Sequence, residues 1–191
     1  MIKFMKTLSE IYRSDNFRTD KNTIHSYIDH VYSELFSEIQ TSAKNILEIG
    51  IDKGGSILLW KEYFSNAVIS GIDIQDKTKI FKENERLKIF KANAYDKKFI
   101  NSIPENNFDL IIDDGPHTLK SMIEFLNGYQ NKLNENGIIV IEDVQNISWI
   151  DTLKKHVCID LIKNIYIHDL TKIKNRSDDI LFVIDKRKIN H

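Results

Sequence analysis

Between residues 45 and 143, short apolar runs keep stopping on a glycine or an acid, and this recurrence most limits the folds open to the chain. Asn45–Ile49 stops at Gly50, Ala67–Ile72 at Asp73, Phe108–Ile112 at Asp113-Asp114-Gly115, and Gly137–Ile141 at Glu142-Asp143. Leu87–Phe90 is a further run, and Ser56–Phe64 and Leu119–Leu133 read as helices between them. Short β-branched runs separated by helices are the signature of parallel strands covered on both faces. The repeated strand–helix order predicts an α/β fold with a Rossmann-like, doubly wound, mostly parallel sheet.

The flanks differ. Ile159–Ile167 and Ile180–Ile184 read as strands joined by a polar loop too short for a helix, which predicts an antiparallel C-terminal hairpin at the sheet edge. Ile24, Tyr27, Ile28, Val31, Tyr32, Leu35, Phe36 and Ile39 recur at helical spacing, so N-terminal helices are expected. The polar stretch Arg18-Thr19-Asp20-Lys21-Asn22 reads as a break before them, and Asp20–Tyr27 as a candidate flap. The 191 residues read as one domain, with residues 1–42 as its helical segment and 43–191 as its core.

A net charge of −1 gives no broad positive field for nucleic acid or anionic lipid. No apolar stretch reaches the roughly 18 residues of a membrane span, and Met1–Glu10 lacks a signal-peptide core, so a cytoplasmic protein is expected. The single cysteine, Cys158, excludes an intramolecular disulfide, and its apolar run Val157-Cys158-Ile159 predicts a core position. Lys186-Arg187-Lys188 reads as a solvated tail, and pairing through the N-terminal helices would make a homodimer.

Ligands of such sheets sit beyond the carboxyl ends of the strands. There the chain places Glu48-Ile49-Gly50-Ile51-Asp52-Lys53-Gly54-Gly55-Ser56. Gly50 permits a tight turn, Gly54-Gly55 let backbone approach a ligand, and Ser56 can cap the next helix. Asp73 can accept hydrogen bonds from both hydroxyls of a ribose. The Gly-x-x-x-Gly-Gly spacing differs from that of dinucleotide-binding turns, and the Asp52 carboxylate would repel a pyrophosphate. Glu48 and Asp52 better suit the ammonium and sulfonium of a methionine moiety, which points to S-adenosylmethionine.

Asp113, Asp114, Glu142 and Asp143 would converge if their strands are neighbours. Two such charges about 4 Å apart repel by roughly 1 kcal/mol in water and about 4 kcal/mol at an effective dielectric of 20. Solvent or a hard divalent cation, Mg2+ first or else Mn2+ or Ca2+, would offset this. His117, three residues beyond Asp114, would be kept neutral by the cation and could take the proton of an acceptor hydroxyl.

Taken together, these residues resemble the metal-dependent sugar O-methyltransferases of the macrocin and mycinamicin type, within the class I S-adenosylmethionine-dependent methyltransferases. The resemblance runs from about Leu8 to Trp149, through Thr19-Asp20-Lys21 with His25 and Tyr27, the Glu48–Ser56 turn, Trp60, Tyr63-Phe64 and Gly71-Ile72-Asp73-Ile74. Its most specific parts are Ile112-Asp113-Asp114-Gly115-Pro116-His117 and Gly137–Asp143. It implies metal ligation by Asp114, Glu142 and Asp143, with His117 as catalytic base. Glu48, Gly50, Ser56 and Asp73 would bind the cofactor, Asn93 would lie near the adenine, and Gly54, Ile74 and Asp113 complete the expected set. The implied acceptor is a sugar, sugar nucleotide or glycan, in the setting of polysaccharide biosynthesis. Pro116 departs from the serine common in the family, and no counterpart to the separate N-terminal region of the antibiotic enzymes is expected. A catechol-like acceptor, a nicotinamide oxidoreductase and a silent binding module are the competing readings. The first usually relies on a lysine base, and the second fits Asp73 but not the glycine spacing.

Overall fold

The computed structural model describes residues 5–104 and 107–187. Its strands are β1 (Asn45–Ile49), β2 (Val68–Asp73), β3 (Leu87–Lys91), β4 (Phe108–Asp113), β5 (Leu133–Ile141), β6 (Ile165–Asp169) and β7 (Ile180–Asp185). They form one sheet in the order β3-β2-β1-β4-β5-β7-β6. The first five are parallel, and β7 runs antiparallel to both β5 and β6. The predicted terminal hairpin is therefore present, with its second strand inserted against β5. Strand order reverses at the β1–β4 pair, where a crevice opens beyond the carboxyl ends.

Side-chain parity along the strands divides the interior into two cores. Ile46, Leu110, Ile112, Ile138, Val140, Leu181 and Val183 face one layer. That layer holds α1 (Leu8–Ser14), a π-helical turn at Ile28–Tyr32 running into α2 (Ser33–Leu35), and α3 (Gly55–Tyr63). Leu47, Ile49, Ile111, Ile139, Ile141, Phe182 and Ile184 face the other. It is covered by α4 (Lys97–Ser102), α5 (Leu119–Tyr129) and α6 (Ile150–Lys154). Phe36 stacks on Tyr32 at 4.7 Å and meets Trp60 edge-on at 5.7 Å, so aromatic packing joins the N-terminal segment to α3.

Several expectations need correction. Ile24 is exposed, whereas the rest of its predicted stripe is buried. Cys158 is exposed, because Ile159–Asn164 is a 3-10 helix and the strand begins only at Ile165. Arg187 is no solvated tail: its guanidinium donates to Asp185 and to the Leu35 carbonyl. Lys188 and Met1–Phe4 lie outside the described residues. No helix of the described residues is long and apolar enough to cross a membrane.

Candidate active site

A cavity of about 640 Å³ opens at the crevice beyond β1, β2 and β4, a size suited to a small-molecule ligand. Gly50, Ser56, Asp73, Ile74 and Asn93 line it, as do Asp114 and His117 at its far side. Asp73 takes the backbone N–H of Ile51 on Oδ2 and that of Gln75 on Oδ1. A carboxylate has about four lone-pair sites, so two remain for a ligand.

The packing of the chain itself requires glycine at two positions of the turn. A Cβ on Gly50, whose φ is +88°, would lie 1.9 Å from the Asp114 carbonyl oxygen. One on Gly55 would lie 2.2 Å from the carbonyl carbon of Arg18. The Cβ side of Gly55 is filled by the N-terminal segment, while Gly55 itself lines the cavity together with that segment's Arg18, Thr19 and Asp20. Ser56 does not cap α3, because Gly54 holds the cap position without a side-chain bond.

Glu48, Asp113 and Gly54, all expected at the cofactor, do not line the cavity. Glu48 is fully buried and accepts from Trp60 Nε1 at 2.9 Å. Asp113 has odd parity and points into the second core, where Tyr95 donates to it at 2.6 Å. Burial pushes the Asp113 carboxyl up to about 7, against the Tyr95 hydrogen bond and with the added repulsion of Asp114.

Asp114 and Glu142 share Glu48's even parity and meet the N-terminal segment. The supposed polar break contains Lys21, which is 0% exposed. Its Nζ donates to Glu142 Oε2 at 2.6 Å and Asp114 Oδ2 at 2.7 Å, and lies 3.2 Å from Glu48 Oε1. Burial alone would pull the Lys21 pKa down, but Asp114, Glu142 and Glu48 hold it well above its usual value. Tyr32 donates to Glu142 Oε1 at 2.6 Å, and Tyr27 to Asp143 Oδ1 at 2.5 Å. His25 stacks on Tyr27 and pairs through Nδ1 with buried Asp179. Lys174 fastens the same segment by donating to the carbonyls of Asn22, Thr23 and His25. The candidate flap thus supplies an outer layer whose Lys21 and Tyr27 hold one oxygen each of Asp114, Glu142 and Asp143.

Two oxygens face the other way. His117 Nε2 lies 3.7 Å from Asp114 Oδ1 and 3.6 Å from Asp143 Oδ2. Asp114, His117 and Asp143 each offer one ligand atom within 4.8 Å of the others, whereas Glu142 is engaged by Lys21 and Tyr32. His117 and Asp143 both have φ of +54°, so left-handed backbone is concentrated at this point. These hard oxygens with an imidazole beside them fit a divalent cation.

No family model matches the chain. It is 29% identical over 140 residues to the 8-demethyl-8-alpha-L-rhamnosyl tetracenomycin-C 2'-O-methyltransferase of Streptomyces olivaceus, covering 69% of this chain and 36% of that one. It is 30% identical over 143 residues to the L-olivosyl-oleandolide 3-O-methyltransferase of Streptomyces antibioticus, covering 70% and 36%. The chain therefore spans about a third of the length of these curated relatives. Among solved structures, the MycE methyltransferase of the mycinamycin biosynthetic pathway, in complex with Mg and SAH, superposes with a TM-score of 0.74. That match has 23% identity and covers 95% of this chain and 55% of the other. The chain thus has the Rossmann-like fold of the S-adenosylmethionine-dependent methyltransferases, and in sequence it resembles those that methylate sugar hydroxyls.

Proposed function

We propose that the protein transfers a methyl group from S-adenosylmethionine to a hydroxyl of a sugar, sugar nucleotide or glycan, with the help of a divalent cation. The observation that carries this reading is the position of His117, on the cavity wall and between the unengaged oxygens of Asp114 and Asp143. The relatives named for rhamnosyl and olivosyl compounds support a sugar-type acceptor. Polysaccharide biosynthesis in the cytoplasm is the proposed setting.

Asp73 would hold the ribose, Asn93 the adenine side, and the Gly50–Ser56 turn the methionine end. Asp114, Glu142 and Asp143 are the proposed cation ligands, since each carboxylate keeps lone pairs beyond those taken by Lys21, Tyr27 and Tyr32. Mg2+ or Mn2+ bound there would supply positive charge that favours ionisation of the acceptor hydroxyl. The His117 imidazole takes the hydroxyl proton. The acceptor oxygen forms a bond to the methyl carbon while the carbon–sulfur bond breaks, giving a methyl ether and S-adenosylhomocysteine. Fixing donor and acceptor in one cavity contributes much of the acceleration.

Calorimetric titration with S-adenosylhomocysteine tests the cofactor assignment, with micromolar binding expected and a clear weakening in Asp73→Ala. Transfer to sugar acceptors should stop in chelator. His117→Ala should lower kcat by about a hundredfold or more while S-adenosylhomocysteine still binds. Full turnover in chelator, or no cofactor binding with or without Mg2+, overturns the reading.

A further inference from the structure

We infer that the Lys21 ammonium is a tethered cation, built into a second cation site formed by Glu48, Asp114 and Glu142. The inference goes beyond the proposed divalent site: it adds Glu48 and takes Asp114 by Oδ2, not by the Oδ1 that faces His117, while both sites draw on Glu142. Three oxygens from three strand ends surround Nζ, at 2.6 Å (Glu142 Oε2), 2.7 Å (Asp114 Oδ2) and 3.2 Å (Glu48 Oε1). Oxygen ligands of this kind, brought together in one place, select hard cations. One of the three oxygens marks the position as a cation site and not an ordinary ion pair. Glu48 Oε1 is buried, accepts no hydrogen bond and lies beside the ammonium. The largest compensation for the burial of Glu48 is the Lys21 charge, ahead of the Ser56 hydroxyl.

The arrangement has a clear physical logic. Lys21 is 0% exposed, as is Glu48, and Glu142 is 2% exposed. Buried carboxylates without a countercharge are strongly destabilising, and water cannot reach these to offset them. Lysine supplies one positive charge from the chain itself, present whether or not any ion is bound. Through its backbone, Lys21 also continues Arg18, Thr19 and Asp20, which wall the cavity, so the countercharge and the cavity wall belong to one segment. Lys21 is in this sense a positioning residue: it holds Asp114 by Oδ2 and leaves Oδ1 toward His117.

Removing the ammonium while leaving room should turn the tethered site into a free one. Lys21→Ala is expected to bind one more Mn2+ per chain than the wild type, counted by electron paramagnetic resonance. Its Tm in chelator should fall by about 10 °C, most of it recovered by saturating Mn2+. Lys21→Met, which is neutral but fills the space, should lose stability without gaining an ion or recovering in Mn2+. If Lys21→Ala does not fold in chelator, refolding in Mn2+ is expected to restore it. An unchanged ion count in Lys21→Ala, a loss that persists in Mn2+, or equal recovery of Lys21→Met overturns the inference. The two readings fail separately. A wild type that binds no Mn2+ removes the divalent ion from the proposed function, whereas an ion gained by Lys21→Ala still supports the tethered cation.

Discussion

Asp113 and Asp114 are adjacent in sequence yet serve opposite faces of the sheet, and their surroundings differ accordingly. Asp113 is buried against Tyr95, and its carboxyl is pushed up to about 7. In the unfolded chain it would ionise near 3.9. Between these values the folded state binds more protons than the unfolded one, so this group's effect on stability becomes less favourable as pH rises from about 4 to about 7. The upper bound on that loss is about 4 kcal/mol. Asp113→Asn keeps an acceptor for the Tyr95 hydroxyl and removes the titration. In chelator the variant should match the wild type near pH 4.5 and exceed it at pH 8, measured by urea unfolding. Equal differences at both pH values would mean that Asp113 does not titrate in this range. The parity that separates the two acids was legible in the sequence, because counting along Phe108–Ile112 puts Asp113 with Ile111 and Asp114 with Ile112. The shared position of all four acids at strand ends hides it. Lys21 gave a weaker signal, since a lysine in a polar run looks the same whether it is solvated or drawn inward by acids distant in sequence.

Most strands were legible as continuous apolar runs, and α3 and α5 as the longer segments between them. α4 and α6 span only six and five residues, too few for a stripe to repeat. The β-branched residues of Ile159–Asn164 favoured a strand, but the segment is a 3-10 helix with exposed Ile159. The clearest link between elements is the crossing of α3 by the N-terminal segment. At Gly55 an added Cβ would meet the carbonyl carbon, oxygen and nitrogen of Arg18 at 2.2, 2.3 and 2.7 Å. Backbone cannot rotate aside as a side chain can, so Gly55→Ala must move the segment or the helix. Overpacking of this kind costs about 1–3 kcal/mol, which corresponds to a Tm lower by roughly 5 °C for a domain of this size. Because Arg18 to Asp20 wall the cavity, S-adenosylhomocysteine affinity should fall together with Tm. A variant that loses Tm but binds normally would separate the segment from the cofactor site. One that loses neither would show that the segment does not rest on Gly55.

At the scale of the whole molecule, the site is where distant parts of the chain are fastened together. Lys21 reaches Glu142 across 121 positions, and His25 reaches Asp179 across 154. The cavity wall draws on the N-terminal segment and on the ends of β1, β2 and β4, so it exists only when the sheet and its first layer have assembled. A ligand of this cavity therefore binds the folded chain and not the unfolded one, and its binding energy adds to global stability. At a concentration a hundred times its Kd, S-adenosylhomocysteine should stabilise the fold by about 2.7 kcal/mol, a Tm increase of roughly 5–10 °C. Thermal unfolding followed by circular dichroism reads this directly. Asp73→Ala should show a much smaller shift at the same concentration, because it removes the carboxylate that the ribose would use. The same shift in Asp73→Ala would move the ribose contact to another residue. No shift in the wild type would remove the cofactor from the cavity altogether, because a ligand that prefers the folded state cannot leave its melting temperature unchanged.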